Sequence, residues 1–404
     1  MRSVAGWLLF LGLVLTRPLA AQTCPEFDRF LERVDSVSDD SVKKALVDEL
    51  IDCARRQDTP LIERGKQAGS ERVIFLYLGP ASTVVLAGDM NRWTQKAKFT
   101  LVAGTDLFYF SSYFELDARL DYKLVLDGKE WIFDPLNSRR ITGGFGPNSF
   151  FAMPEYSLPP EFDSHSNIPH GTIEEIAFNS RILGNSRTVK IYLPPSYAAS
   201  HAHYRSLYVH DGIDYLNLAK INEIVDVMIH RNEIPPIILV MVPPVDRDRE
   251  YWTSADFARA FATELVPTIE KRHRTETTPE SRGILGASLG GLIAVYIVGQ
   301  YPHVFGNCAG QSSAFFPDSE FEKIWTSPKS GIRFHLDVGT YEQNYSQRDL
   351  LNGNRRMLDF LRAKGYAVDY REVHEGHSWG SWRARIPEVL RFFWGPSDSS
   401  NSTH

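Results

Sequence analysis

Gly283-Ile284-Leu285-Gly286-Ala287-Ser288-Leu289-Gly290-Gly291-Leu292-Ile293-Ala294-Val295-Tyr296-Ile297-Val298 decides how this chain is read. Gly283 to Leu285 has the character of a short buried strand, and the apolar run from Gly291 to Val298 that of a helix, so Ser288 stands on a strand-to-helix turn. A bare Gly-x-Ser-x-Gly is a weak signal, because glycine and serine are common residues. The small residues at 286, 287 and 290 add the specificity, since a serine in strained backbone geometry needs neighbours without bulk on both sides. The bland alternative is a glycine-rich turn; the flanking strand and helix favour a nucleophile.

A serine hydroxyl is a poor nucleophile until a base takes its proton, so a histidine is required on a loop at the carboxyl ends of the strands. Among 12 histidines, His377 meets that demand. It follows the strand predicted to end at Val373, and Gly376 gives the backbone freedom to aim an imidazole inward. His374 is the competitor. With His377 it also makes a two-ligand metal pair, but no third ligand stands at a convincing spacing, so neither metal nor cofactor is expected. The acid that orients the imidazole belongs in the loop after the preceding strand, where Asp337, Glu342 and Asp349 are the candidates. Asp337 lies inside a predicted strand and Asp349 has the position of a helix cap, which leaves Glu342. The oxyanion of a tetrahedral intermediate needs two backbone N–H donors. Leu289 is one; the other falls in Asp211-Gly212-Ile213, at Gly212 or Ile213.

Strands alternate with helices over residues 171–396, the pattern of an open sheet covered on both faces. The predicted strands are Thr172 to Phe178, Thr188 to Leu193, Ser206 to His210, Ile237 to Val242, Gly283 to Leu285, Arg333 to Val338 and Ala367 to Val373. Helices are predicted near Asn217 to His230, Ala255 to Arg272, Leu292 to Gln300, Asp349 to Lys364 and Ile386 to Trp394. With the serine elbow, this is an α/β fold of α/β-hydrolase type. Ahead of it, short β-type runs at Val73 to Leu78, Thr83 to Ala87, Leu107 to Phe114, Asp121 to Leu126 and Trp131 to Phe133 predict a small all-β, immunoglobulin-like sandwich over residues 68–155. Residues 156–170, rich in proline and polar side chains, read as a linker, and 397–404 as a disordered tail.

Met1-Arg2-Ser3 carries one positive charge, and Trp7 to Val14 forms a short apolar run ending near Pro18-Leu19-Ala20-Ala21. That is the layout of a signal peptide over residues 1–21, too short for a permanent membrane span, and it places the protein in the periplasm or outside the cell. Gln22 and Thr23 separate Ala21 from Cys24, which argues against a lipid anchor. With 44 basic and 50 acidic residues and no long run of either sign, nucleic acid and anionic membranes are poor partners. Residues 22–66 show helical spacing in two segments, Phe27 to Val37 and Ser41 to Arg56. Folded as an antiparallel hairpin, they bring Cys24 beside Cys53, and a disulfide is expected there in an exported protein. Cys308, the third cysteine, is left as a buried small apolar residue.

From Arg187-Thr188-Val189-Lys190-Ile191-Tyr192-Leu193-Pro194-Pro195-Ser196-Tyr197 onward the chain resembles the esterase D family, which includes enterochelin esterases and feruloyl or acetyl-xylan esterases. The similar pieces are Tyr208-Val209-His210-Asp211-Gly212, Arg249-Glu250-Tyr251, Glu264-Leu265-Val266-Pro267, the serine elbow, Gln311-Ser312-Ser313, and Gly376-His377 with Trp379, Trp382 and Arg383. The resemblance implies Ser288 as nucleophile, His377 as base, and as acid the carboxylate after Gly339-Thr340. The feruloyl branch commonly has aspartate there, and this chain has Glu342. The β-region resembles the early-set module of isoamylases and branching enzymes, also called carbohydrate-binding module family 48, through Leu86-Ala87-Gly88-Asp89-Met90-Asn91-Arg92-Trp93 and Tyr122 to Trp131. That likeness implies sugar contacts at Trp93, Trp131, Lys123 and Asn148, against the plainer reading of these tryptophans as packing or lid residues.

The function expected is that of an exported serine carboxylic-ester hydrolase working through an acyl-enzyme on acyl or feruloyl esters, including polysaccharide-linked ones. Two alternatives stand beside it: a trilactone esterase for a catecholate siderophore, served by Arg247, Arg249, Arg348, Arg355, Arg356 or Arg383, and a catalytically silent carbohydrate-binding scaffold. Acyl transfer, as in mycolyltransferases, is a further enzymatic reading.

Overall fold

The structure, a computed structural model, describes residues 24–57, 60–65, 68–144, 146–160, 167–316, 325, 331–343 and 349–396. The expected signal peptide and C-terminal tail, Arg348, and residues 161–166 of the expected linker lie outside the described residues. Among the described residues no helix is long and apolar enough to cross a membrane.

Helices Phe27–Asp35 and Asp40–Gln57 form the N-terminal hairpin, and Cys24 and Cys53 are joined as a disulfide across it. Period-two alternation along strand Ser70–Leu78 explains where the hairpin sits. Ile74 and Leu76 pack with Phe27, Phe30 and Leu50 of the hairpin, whereas Val73, Phe75 and Tyr77 point to the opposite side, against Leu120, Tyr122 and Phe151 of a second sheet. Both faces of this strand are therefore covered, and the hairpin and the sandwich share one sheet. Leu61–Glu63, which the sequence assigns to the hairpin segment, pairs antiparallel with Ser70–Leu78 and belongs to the same sheet. The second sheet runs in the order Ala97–Lys98, Val84–Gly88, Arg119–Leu126, Gly146–Ala152 and Arg140–Gly143. The last two strands are absent from the sequence prediction, because Gly143, Gly144 and Gly146 interrupt any alternating pattern there.

An eight-stranded sheet forms the second half, in the order Thr172–Ser180, Asn185–Leu193, Ile237–Val242, Arg205–His210, Arg282–Ala287, Asn307–Gln311, Arg333–Gly339 and Ala367–Val373. From Ile237–Val242 to the last strand every pair is parallel. After Arg205–His210 the chain goes first to one side, to Ile237–Val242, and then returns to the other side as Arg282–Ala287. The loops leaving the carboxyl ends of Arg205–His210 and Arg282–Ala287 thus diverge, which opens a crevice at this switch point. Its two walls begin at Asp211 and at Ser288.

Strand Asn307–Gln311 is buried throughout and holds Cys308, yet the sequence prediction lacks it. Asn-Cys-Ala-Gly-Gln has no β-branched or aromatic residue to mark a strand; its small side chains fit a position covered by helix Leu289–Gln300. The expected helix Asn217–His230 is two, Gly212–Asn217 and Ile221–His230, and the expected Ala255–Arg272 contains a π-turn at Phe261–Leu265. The final helix starts at Trp379, not near Ile386, with Ser378 Oγ capping the N–H of Ser381.

Candidate active site

Ser288 ends the central strand and caps helix Leu289–Gln300, with φ at +56°, a region that side chains other than glycine rarely occupy. The turn is tight enough that a Cβ on Gly286 would lie 2.2 Å from the Gly290 carbonyl oxygen. The backbone is held in this strained form by a hydrogen bond from Ser288 N–H to the Gln311 carbonyl, 2.9 Å.

His377 lies between strand Ala367–Val373 and helix Trp379–Trp394. Its Nε2 is 3.1 Å from Ser288 Oγ and its Nδ1 is 2.6 Å from Glu342 Oε2. Glu342 is fully buried on the turn after strand Arg333–Gly339. Its other oxygen, Oε1, accepts from Ser312 Oγ at 2.6 Å and from the Gly339 N–H at 2.8 Å. Ser312 in turn accepts from the Trp382 indole, 2.9 Å, and from Arg385, 3.2 Å. A carboxylate so engaged on one side keeps its second oxygen for the imidazole, which fixes the proton of neutral His377 on Nδ1 and turns the Nε2 lone pair to the serine. The Trp382 ring stands edge-on to the imidazole, 4.8 Å between centroids.

The other acids are engaged elsewhere. Asp337 pairs with Arg385 at 3.0 Å, and Asp349 caps its helix by accepting from Asn352 N–H. His374 Nδ1 is 2.6 Å from Asp117 of the sandwich, away from the serine. Leu289 is the first residue of its helix, and Gly212 and Ile213 open helix Gly212–Asn217, so their N–H groups have no carbonyl one turn back. The structure brings the two helix starts to adjacent strands.

A cleft of about 700 Å³ contains Ser288 and His377. Its opposite wall is the sandwich: Trp93, Trp131, Lys123 and Asn148, the residues suggested for sugar contact, all line it, with Asp89 and Asp121. Asp211, Asp214 and Arg247 complete the charged lining. Arg247 clamps Asp211, with Nε donating to Oδ1 at 2.9 Å and to Oδ2 at 3.1 Å and a terminal nitrogen donating to Oδ2 at 2.8 Å. Burial, and after it the neighbouring Asp121 carboxylate, push Asp89 up to about 8. Of the arginines suggested for a catecholate, Arg247 lines the cleft; Arg355 is paired with Glu372 and Arg356 with the Phe315 carbonyl. Sequence reasoning missed Asp89, Asp121, Asp211 and Asp214 as cleft residues. Asp89 and Asp211 stood inside motifs quoted for family likeness, and nothing local told that the two motifs face each other.

A serine on an elbow after a central parallel strand, an acid after a later one and a histidine after the last together make the α/β-hydrolase arrangement. Residues 180–393, more than half of the 404-residue chain, match the family described as Putative esterase. The chain belongs to that family and is an ester hydrolase, and the reading as a silent scaffold gives way. It is similar to the iron(III) enterobactin esterase of Escherichia coli, 26% identical over 340 residues, 78% of this chain and 82% of that one. It is also similar to the endo-1,4-beta-xylanase/feruloyl esterase of Xylanibacter ruminicola, 26% identical over 337 residues, 79% of this chain and 42% of that one. The solved enterobactin esterase of Shigella flexneri shares the fold, with a TM-score of 0.70 and 22% identity over 84% of this chain and 97% of that one.

Proposed function

We propose that this ester hydrolase works through Ser288, His377 and Glu342 by an acyl-enzyme, on acyl or feruloyl esters of neutral carbohydrates. The observation that carries the mechanism is the continuous contact from Glu342 through His377 to Ser288, at 2.6 and 3.1 Å. Ser288 Oγ attacks the ester carbonyl as Nε2 takes its proton. Leu289 N–H and that of Gly212 or Ile213 hold the oxyanion. The imidazolium, stabilised by Glu342, returns the proton to the leaving alcohol, and a water activated by the same Nε2 then releases the acid.

Three features support a neutral sugar ester. Trp93 and Trp131 offer flat amphipathic faces of the kind that stack on pyranose rings, and Trp131 is 43% exposed. The carboxylate of Asp214 and the amide of Asn148 suit hydroxyl groups. Of the two cations lining the cleft, Arg247 is paired with Asp211, and Lys123 alone is a poor match for a multiply anionic ferric catecholate. The sandwich is the early-set-like module of the reading, and residues 1–21 its export signal. The siderophore reading has its own support in the similarity to an enterobactin esterase over 78% of this chain.

Initial rates on acetylated xylan, methyl ferulate and an iron-free catechol trilactone test the reading. A carbohydrate or feruloyl ester should be the faster substrate, with no turnover by Ser288→Ala. Faster cleavage of the trilactone would overturn the substrate assignment, and unimpaired Ser288→Ala the mechanism.

A further inference from the structure

The sandwich also grips the loop that carries His377. Arg119 N–H donates to the His374 carbonyl at 3.0 Å, and the Arg119 guanidinium reaches Ser378 Oγ at 3.4 Å. Between these two anchors stands Asp89, only 3% exposed. Its Oδ1 accepts the indole N–H of Trp93 at 3.1 Å, and its Oδ2 accepts the N–H of Asp121 at 2.8 Å. A Cβ on Gly376 would fall 2.1 Å from Asp89 Cγ, so the carboxyl group rests directly on the backbone one residue before His377. Trp93, at the cleft end of this chain of contacts, has φ at +58°, a costly conformation for a bulky residue. Such strain persists only where surrounding contacts enforce it, and the Asp89 hydrogen bond is one of them.

We propose that Asp89 is a positioning residue that couples Trp93 in the cleft to the placement of His377. A ligand resting on Trp93 holds the indole, the indole holds Asp89, and Asp89 holds the Gly376 backbone that aims the imidazole at Ser288. The sandwich then acts on the chemical step as well as on substrate binding. This rests on the reading of His377 as the base that activates Ser288.

The test uses the full-length protein and p-nitrophenyl acetate, an ester too small to need the sandwich for binding. Asp89→Ala should lower kcat by about 10- to 100-fold with KM little changed, the loss expected when a reacting group is slightly misplaced. Trp93→Phe, which keeps a ring and removes only the N–H donor, should lose kcat by a smaller factor. Asp89→Asn keeps the volume and one acceptor oxygen but turns an NH2 group toward the other N–H donor, so its kcat should fall between those of Asp89→Ala and the wild type. Should Asp89→Ala not fold, the other two variants carry the test. Wild-type kcat in Trp93→Phe, or wild-type kcat in Asp89→Asn, would overturn the coupling. Failure of the underlying reading looks different: Ser288→Ala would then hydrolyse the ester as well as the wild type does.

Discussion

Trp93 and Ser288 line the same cleft, although one belongs to the N-terminal sandwich and the other to the elbow of the eight-stranded sheet. A substrate at the serine is therefore bounded on its far side by side chains that a sequence reading assigns to a separate binding module. The relation between the two halves is that of two walls of one site.

The proposed acid, Glu342, is the member with most rivals in the sequence, and it has a direct test. Glu342→Gln keeps the shape but loses the charge that stabilises the imidazolium and selects its tautomer. A fall in kcat of about 10⁴-fold on a small ester is expected, with KM little changed. Asp349→Ala, which removes a helix cap, should leave kcat within about twofold and cost about 1 kcal/mol in urea unfolding. Equal activity losses at the two positions would reject Glu342.

Trp131 is more exposed than Trp93 and makes no hydrogen bond to the loop of His377 among the contacts of the described residues, so it separates binding from chemistry. Trp131→Ala should raise KM for an oligosaccharide ester by about 3- to 10-fold through loss of one stacked face, and leave p-nitrophenyl acetate hydrolysis unchanged. An unchanged KM on the oligosaccharide ester would remove Trp131 from the substrate surface.

Stability should fall in mild alkali. His335 is buried beside the active-site sheet, with Nδ1 2.8 Å from Asp369 and Nε2 3.4 Å from Asp337. Burial opposes its charge, but hydrogen bonds and attraction from Asp337 and Asp369 outweigh it and raise the imidazole to about 9. Because the folded value lies above the unfolded one, the contribution is complete below about pH 6.5 and disappears as pH rises through 9, a loss of about 3 kcal/mol. His335→Gln should be less stable than wild type at pH 6 and close to it at pH 10, measured by denaturant unfolding. A difference independent of pH would contradict the charged pair.

The hairpin disulfide closes a loop of 29 residues. Cys53→Ser should cost about 3–4 kcal/mol of stability by releasing that constraint on the unfolded chain. Unfolding with and without reductant checks it: reductant should lower the wild-type transition and leave the variant's in place.

Much of the large sheet could be read from runs such as Ile237–Val242, whose continuous apolar character leaves few alternatives. Asn307–Gln311 escaped because burial, not propensity, makes it a strand. The helix from Trp379 was shortened in the reading by Gly380 and Ser381, although Ser378 offered a capping signal. Ser288 was legible because strand, turn and helix announce it within a few residues. His377 and Glu342 were legible through their place in the order of strands. The contact of Asp89 with Gly376 was not, since no local pattern relates a turn of the sandwich to a loop near the end of the chain.

That contact has an evolutionary consequence. A groove built half from each unit cannot be exchanged by moving either one alone, because a transplanted sandwich would meet a foreign loop where Gly376 now leaves room for Asp89. Changes in substrate preference in such a chain should accumulate as matched pairs of replacements across the seam.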